Sequence, residues 1–353
     1  MLLALLATIA SVAVAQEPVR TPGEAAKQAA EAAAAKDWPL AERAWREAAA
    51  LATERLRGEP QDFDLAQARD TWEYDAACAA ALQGHSDAAF ALIAGLLDRG
   101  WLDNDDMLAT DPDLASLRSH DARFEPMLER DRRLLTLACE GHDEGRILVP
   151  AKLTAGSAPS CIVALHGGAG NIEGWAHAWQ DVADHLGVVV VLVRGSVVLG
   201  KGEFTYDQRR PARDVARIEA WIARAREAVP MMSDSDIFLA GFSQGGGMAW
   251  LLGTEGERAW RGIIPIGGYV QVAARPRALR EPAHPLAAHA FVGETDEAAI
   301  RDVNAQLVAR EGLANFRGRL ETMPGGHGLP ADLPTSIARA MAWCREASAS
   351  MRR

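Results

Sequence analysis

The stretch 188-VVVVLVRG-195 constrains this 353-residue chain more than any other. Its β-branched side chains are stiff at χ1 and crowd a helix, so they favour extended backbone. No polar residue alternates with the apolar ones, which means that a strand made from it must hide both of its faces. Such a strand needs helices above and below it and parallel neighbours reached through them. The chain supplies these. Further apolar runs occur at CIVALHG (161–167), DIFLAGF (236–242), GIIPIGG (262–268), LAAHAFVG (286–293) and FRGRLETMPG (316–325). Stretches of helical period, such as 214-DVARIEAWIARARE-227 and 297-EAAIRDVNAQLVARE-311, lie between them. The pattern predicts an α/β domain over 131–353, a doubly wound, mostly parallel sheet. LLTLAC (134–139) and RILVP (146–150), flanking 140-EGHDEG-145, predict an antiparallel hairpin at its start.

Residues 22–130 read as helix only. The segment 24-EAAKQAAEAAAAKDWPLAERAWREAAALATERL-56 is dense in strong helix formers and is broken at Asp37-Trp38-Pro39, which makes a helical hairpin. A second hairpin is expected over 71-TWEYDAACAAALQGHSDAAFALIAGLLDRG-100, turning at Gly84. Superposed, 36-KDWPLAERAW-45 and 84-GHSDAAFALI-93 put turn, alanine and bulky residue at the same offsets. This resembles the tetratricopeptide repeat, although the copies lie about 48 residues apart rather than the 34 of a regular array. A plain helical bundle is the alternative. The half carries no chemical constellation, so a protein partner is the role open to it.

The opening 1-MLLALLATIASVAVAQ-16 lacks a basic leading segment but ends in Ala13-Val14-Ala15, a small-x-small cleavage pattern. A signal peptide over 1–15 is expected, and with it a secreted or periplasmic protein. No cysteine follows the cleavage point to take lipid, and the run is too short to span a bilayer comfortably. A formal net charge of −11 excludes the basic footprint that nucleic acid requires. Four cysteines, Cys78, Cys139, Cys161 and Cys344, fit no metal-ligand spacing; a Cys161–Cys344 bridge is one pairing that an oxidising compartment would permit.

Chemistry concentrates where the apolar runs end. In 239-LAGFSQGGGMAW-250 a serine stands between two glycines, after a strand and before a helix. A turn that tight needs glycine on either side and leaves the Ser243 hydroxyl exposed, with the Gln244 N–H and the helix N-terminus beside it. The loop 165-LHGGAGN-171 offers a second backbone donor, Gly168, for a developing oxyanion. A serine hydroxyl also needs a base and a carboxylate to orient that base. Of nine histidines only His327, in 324-PGGHGLP-330, lies past the last predicted strand. For the acid, 291-FVGETDEAAI-300 offers Asp296, with Glu294 as rival and a helix cap as the alternative role for Asp296.

In this order LHGGAGN, GFSQGGGMAW, GETD and GGHGLP resemble the α/β-hydrolase superfamily, in its phospholipase/carboxylesterase or predicted-esterase branch, over about 131–348. The resemblance implies hydrolysis of carboxylic ester or thioester bonds without metal or organic cofactor, and oxyanion donors at Gly168 and Gln244. One departure is that Glu297-Ala298 follows the acid, where the family often has Val-Pro. A peptidase on the same fold, or a partner-binding helical protein with an inert hydrolase domain, are the alternatives. The short connection 269-YVQVAARPRALREPAHP-285 leaves no room for a large lid. The loop 196-SVVLGKGEFTYDQRRPARD-214 makes Phe204, Tyr206 and Asp207 candidate pocket residues, with solvated loop positions as the alternative. Trp175 is a further candidate wall, or a core anchor like Trp179.

Overall fold

The computed structural model describes residues 20–351, apart from 61, 154, 155, 157 and 311. The expected signal peptide lies outside the described residues. The chain divides into two compact units, one running through Arg99 and including Leu108–Glu125, the other formed by Gly100–Met107 and Pro126–Arg353.

The first unit is built on α1 (Pro22–Ala34), α2 (Trp38–Leu56), α3 (Phe63–Leu82) and α4 (Ser86–Asp98), each packed on the next. The N-termini of α1, α2 and α3 are capped by side chains: Thr21 and Glu24 form a capping box at α1, Asp37 accepts from the Leu40 N–H and Asp62 from the Leu65 N–H. Both expected hairpins are present, and they turn in the same way. Lys36 has φ +59° and Gly84 φ +76°. In each turn this residue donates to the carbonyl three back and the next donates five back (Lys36 to Ala33 and Asp37 to Ala32; Gly84 to Ala81 and His85 to Ala80), at 2.9–3.0 Å. These are Schellman closures at equivalent offsets. The interior is mostly alanine, with Ala25, Ala29, Ala41, Ala48, Ala52 and Ala76 fully buried, so the helices approach closely. Three short elements follow, α5 (Met107–Thr110), a 3₁₀ turn at Pro112–Leu114 and α6 (Ala115–His120).

A longer helix, α7 (Phe124–Cys139), takes up the segment expected to be the first strand of a hairpin. Its buried positions Leu128, Asp131 and Ala138 recur at helical spacing. LLTLAC is too short an apolar run for its period to be read alone. The strands are β1 (Gly145–Leu148), β2 (Cys161–Leu165), β3 (Val189–Val193), β4 (Val197–Gly200), β5 (Glu203–Thr205), β6 (Ile237–Phe242), β7 (Gly262–Ile266), β8 (Leu286–Gly293) and β9 (Phe316–Met323). Seven make one sheet in the order β1-β3-β2-β6-β7-β8-β9, with β1 antiparallel to β3 and every other pair parallel. The Val run is β3, buried along its whole length.

Helices α8 (Glu173–Leu186), α9 (Ala212–Ala228), α10 (Gln244–Glu255), α11 (Arg275–Ala278), α12 (Ala298–Val308) and α13 (Leu333–Met351) complete the second unit. Alternate strand residues face two cores. One packs on α9, α10 and α12, the other on α8 and α13. A mostly parallel sheet so covered, with an antiparallel start, is consistent with an α/β-hydrolase. Cys161 points into the first core and Cys344 into the second, so the sheet itself separates them and no bridge forms; all four cysteines are free. Among the described residues no helix is long and apolar enough to cross a membrane.

Candidate active site

The strand order reverses about β2, and the helices after β2 and β6 lie on opposite faces of the sheet. Their connecting loops therefore open a crevice at the carboxyl ends of the strands, the usual place for a ligand on such a sheet. β2 and β6 pair with Leu165 opposite Gly241, which sets LHGGAGN beside GFSQG.

Ser243 joins β6 to α10 with φ +51° and ψ −116°, a conformation that costs a non-glycine residue energy and is held by its surroundings. Its N–H donates to Ile266 O at 2.9 Å and its carbonyl accepts from the Gly247 N–H (2.9 Å) and the Tyr269 N–H (2.8 Å). The flanking glycines are demanded by contact. A Cβ on Gly241 would stand 2.2 Å from Gly245 O, and one on Gly245 2.4 Å from His166 O.

His327 sits in the loop after β9, and its Nδ1 donates to Asp296 at 3.1 Å to Oδ1 and 3.2 Å to Oδ2. Asp296 is 4% exposed, whereas the rival Glu294 is exposed. Nor does Asp296 cap α12, whose N-cap is Glu297 and carries no side-chain cap bond. With Nδ1 committed to the carboxylate, the imidazole keeps Nε2 for proton transfer. The ring lies 4.7 Å, centroid to centroid, from Phe242, the residue before Ser243. It also packs on Gly267, where an added Cβ would be 3.1 Å from the imidazole; Gly267 follows the carbonyl that holds the Ser243 N–H. Phe242 and Ile266-Gly267 thus adjoin both the Ser243 backbone and the imidazole.

Two peptide planes aim the candidate oxyanion donors. In a trans peptide the C=O and the following N–H point in opposite directions. Gly167 O is engaged by His166 Nδ1 at 2.6 Å and by the Gly170 N–H at 3.2 Å, which turns the Gly168 N–H the other way. Likewise the bonds to Ser243 O turn the Gln244 N–H away from Tyr269. His166 is locked in one tautomer, because its Nε2 accepts from the Gly195 N–H at 3.1 Å. Burial pushes its pKa down to about 4, so the ring stays neutral.

The loop after β3 differs from expectation. It folds into the β4–β5 hairpin, and Phe204 bridges to Gly170 of the oxyanion loop. Phe204 is fully buried with the Arg194 guanidinium 4.0 Å above its ring, so it is packing and not a pocket wall. Tyr206 is 2% exposed; its hydroxyl accepts from the His166 N–H at 3.0 Å and donates to Val193 O at 2.7 Å, tying β2 to β3. Asp207 closes a turn, with Oδ1 accepting from the Arg209 and Arg210 N–H groups at 2.9 Å. Phe204 and Tyr206 are therefore neither solvated nor exposed to a ligand, and Asp207 is half-buried. Trp175 is half-buried with its ring 5.7 Å from Phe242, two rings from His327; Trp179 is fully buried.

Two buried amides escaped sequence reasoning. Asn304 donates to Gly268 O at 2.8 Å and accepts from Trp250 Nε1 at 2.8 Å, bracing the loop after β7. Gln208 bonds to the backbone of both the nucleophile turn and that loop. In the helical unit, Cys78, Asp111 and Asp113 put one ligand atom each within 4.8 Å of one another. Burial and the neighbouring carboxylates hold the Cys78 thiol protonated, which makes it a poor metal ligand.

No known family's sequence profile matches the chain, and no curated protein does. Solved structures do resemble it. A carboxylesterase of Bacillus cereus aligns at 19% identity and TM-score 0.45, over 60% of this chain and 98% of its own. Esterase PE8 aligns at 20% identity and TM-score 0.42, over 57% and 98%. An uncharacterized protein from Bacillus cereus ATCC 10987 aligns at 14% identity and TM-score 0.44, over 93% and 99%.

Proposed function

We propose that the protein is an exported serine hydrolase that cleaves carboxylic esters, thioesters included, with Ser243 as nucleophile, His327 as base and Asp296 as the carboxylate that orients it. The single observation that supports this reading is the strained Ser243 turn, whose preceding residue Phe242 packs its ring against an imidazole hydrogen-bonded to a buried carboxylate. Ser243 Oγ attacks the carbonyl carbon while His327 Nε2 takes its proton. The negative charge moves to the carbonyl oxygen, where the Gly168 and Gln244 N–H groups receive it. Collapse expels the alcohol or thiol, which leaves with the proton from His327. Water then attacks the acyl-serine through the same base, releasing the acid and restoring Ser243.

The test is turnover of p-nitrophenyl acetate by the full chain, with covalent labelling by a fluorophosphonate. Ser243→Ala is expected to lower kcat on the order of a millionfold and to abolish labelling. Peptide cleavage without ester turnover would move the assignment to a peptidase. An unlabelled Ser243 in folded protein would leave the domain inert.

A further inference from the structure

We propose that Gln208 is a positioning residue of this site, one that sets the aim of the Gln244 N–H toward the transition-state oxyanion. The proposal rests on the serine hydrolase reading above. Gln208 is 1% exposed, and three backbone groups use its amide. Nε2 donates to Gln244 O at 3.1 Å and to Tyr269 O at 2.8 Å, and Oε1 accepts from the Gln271 N–H at 2.8 Å. Both N–H donors and one acceptor site are therefore spent on two segments that are distant in sequence, the nucleophile turn and the loop after β7.

Those segments are also joined to each other at the point that matters. The Tyr269 N–H donates to Ser243 O, and that bond turns the Gln244 N–H outward through the peptide plane. Gln208 holds Tyr269 by its carbonyl while Tyr269 holds Ser243 by its N–H. The carbonyl of Gln244 itself is held by the same amide, so of the two peptide units flanking Gln244 one is bonded to Gln208 directly and the other through Tyr269.

The neighbourhood is shaped around this clamp. A Cβ on Gly247 would lie 1.8 Å from Tyr269 O and 2.4 Å from Gln208 Nε2, which accounts for the last glycine of the run after Ser243. The Gln208 backbone is fixed in turn: Arg277 Nη1 donates to Gln208 O at 3.2 Å and Arg209 O at 3.1 Å, and Glu255 pairs with Arg277. Burying an amide costs desolvation that its own bonds barely repay, so an apolar side chain would fill the space as well if filling were the only task.

Misdirecting one oxyanion donor raises the barrier to the transition state and leaves ground-state binding alone. The test uses the full chain carrying Gln208→Met, similar in length without an amide, and Gln208→Asn, which keeps the amide one methylene short. The readouts are kcat and KM for p-nitrophenyl acetate, the inhibition constant of a trifluoromethyl ketone that forms a tetrahedral adduct, and the melting temperature. Gln208→Met is expected to lose about 30-fold in kcat, with KM within about twofold and ketone affinity falling in step with kcat; Gln208→Asn loses less. Should Gln208→Met not fold, the parallel loss of kcat and ketone affinity in Gln208→Asn carries the test. Folded variants that melt earlier yet keep wild-type kcat and ketone affinity would reduce Gln208 to packing while leaving the hydrolase assignment intact. An unsubstituted chain that turns over no ester and takes no fluorophosphonate overturns both.

Discussion

The two units bury different things. Among the described residues every buried charged or polar side chain other than tyrosine and cysteine belongs to the second unit, from Asp103 to Ser348. The helical unit hides mostly alanine methyls with apolar side chains such as Phe90, Ile93, Leu96 and Leu108, groups that set how near the helices come without fixing a direction. The sheet unit carries His166, Gln208, Asp214, Asp296 and Asn304 into its interior, and each bonds to named backbone or side-chain groups. A buried polar group costs free energy unless paired, and a paired one fixes direction as well as distance. Where a fold accepts that cost, orientation is what it gains.

If this contrast holds, substitutions in the second unit change rates and those in the first change stability alone. After the Ser243→Ala loss, the largest effect is expected at Asp296→Asn, which leaves His327 in the wrong tautomer and should lower kcat about 10⁴-fold. A loss under tenfold would remove the distinction between an orienting carboxylate and a structural one. The next effect is on stability as pH falls. Between about 6.5 and 4 the unfolded chain binds a proton at His166 that the folded chain does not, so stability declines with pH across that window. Urea titrations should show about 3 kcal/mol lost by pH 4, a component absent in His166→Gln. In the helical unit Ala29→Leu should cost about 1–3 kcal/mol by overpacking, with kcat unchanged; a change in rate would break the comparison. The smallest effect sharpens it. Lys36→Gly relieves a left-handed non-glycine residue at the position equivalent to Gly84 and should raise stability by about 1 kcal/mol or less, measured as a shift in melting temperature.

What could be read beforehand was whatever local geometry encodes. The β3 valines, the glycines around Ser243 and the helical hairpin breaks carry their reasons within a few residues, and the structure places each element there. Glu294 stands as a rival to Asp296 in the sequence because two positions in one turn differ only in which is turned inward, a tertiary property. The burial of Phe204 and Tyr206 is tertiary as well: the bridge to Gly170 and the bond to the His166 N–H cover them through partners over 30 residues away. Gln208 and Asn304 carry no local signal, since a single amide in a loop or on an amphipathic helix looks solvated until its backbone partners arrive.

The separation of Cys161 from Cys344 by the sheet reaches beyond the pairing it forbids. With three thiols buried and Cys139 half-covered beside Arg194, all four thiols are unpaired in this fold. Dithiothreitol should therefore leave its melting curve where it was, and the chain should refold as well in a reducing medium as in an oxidising one.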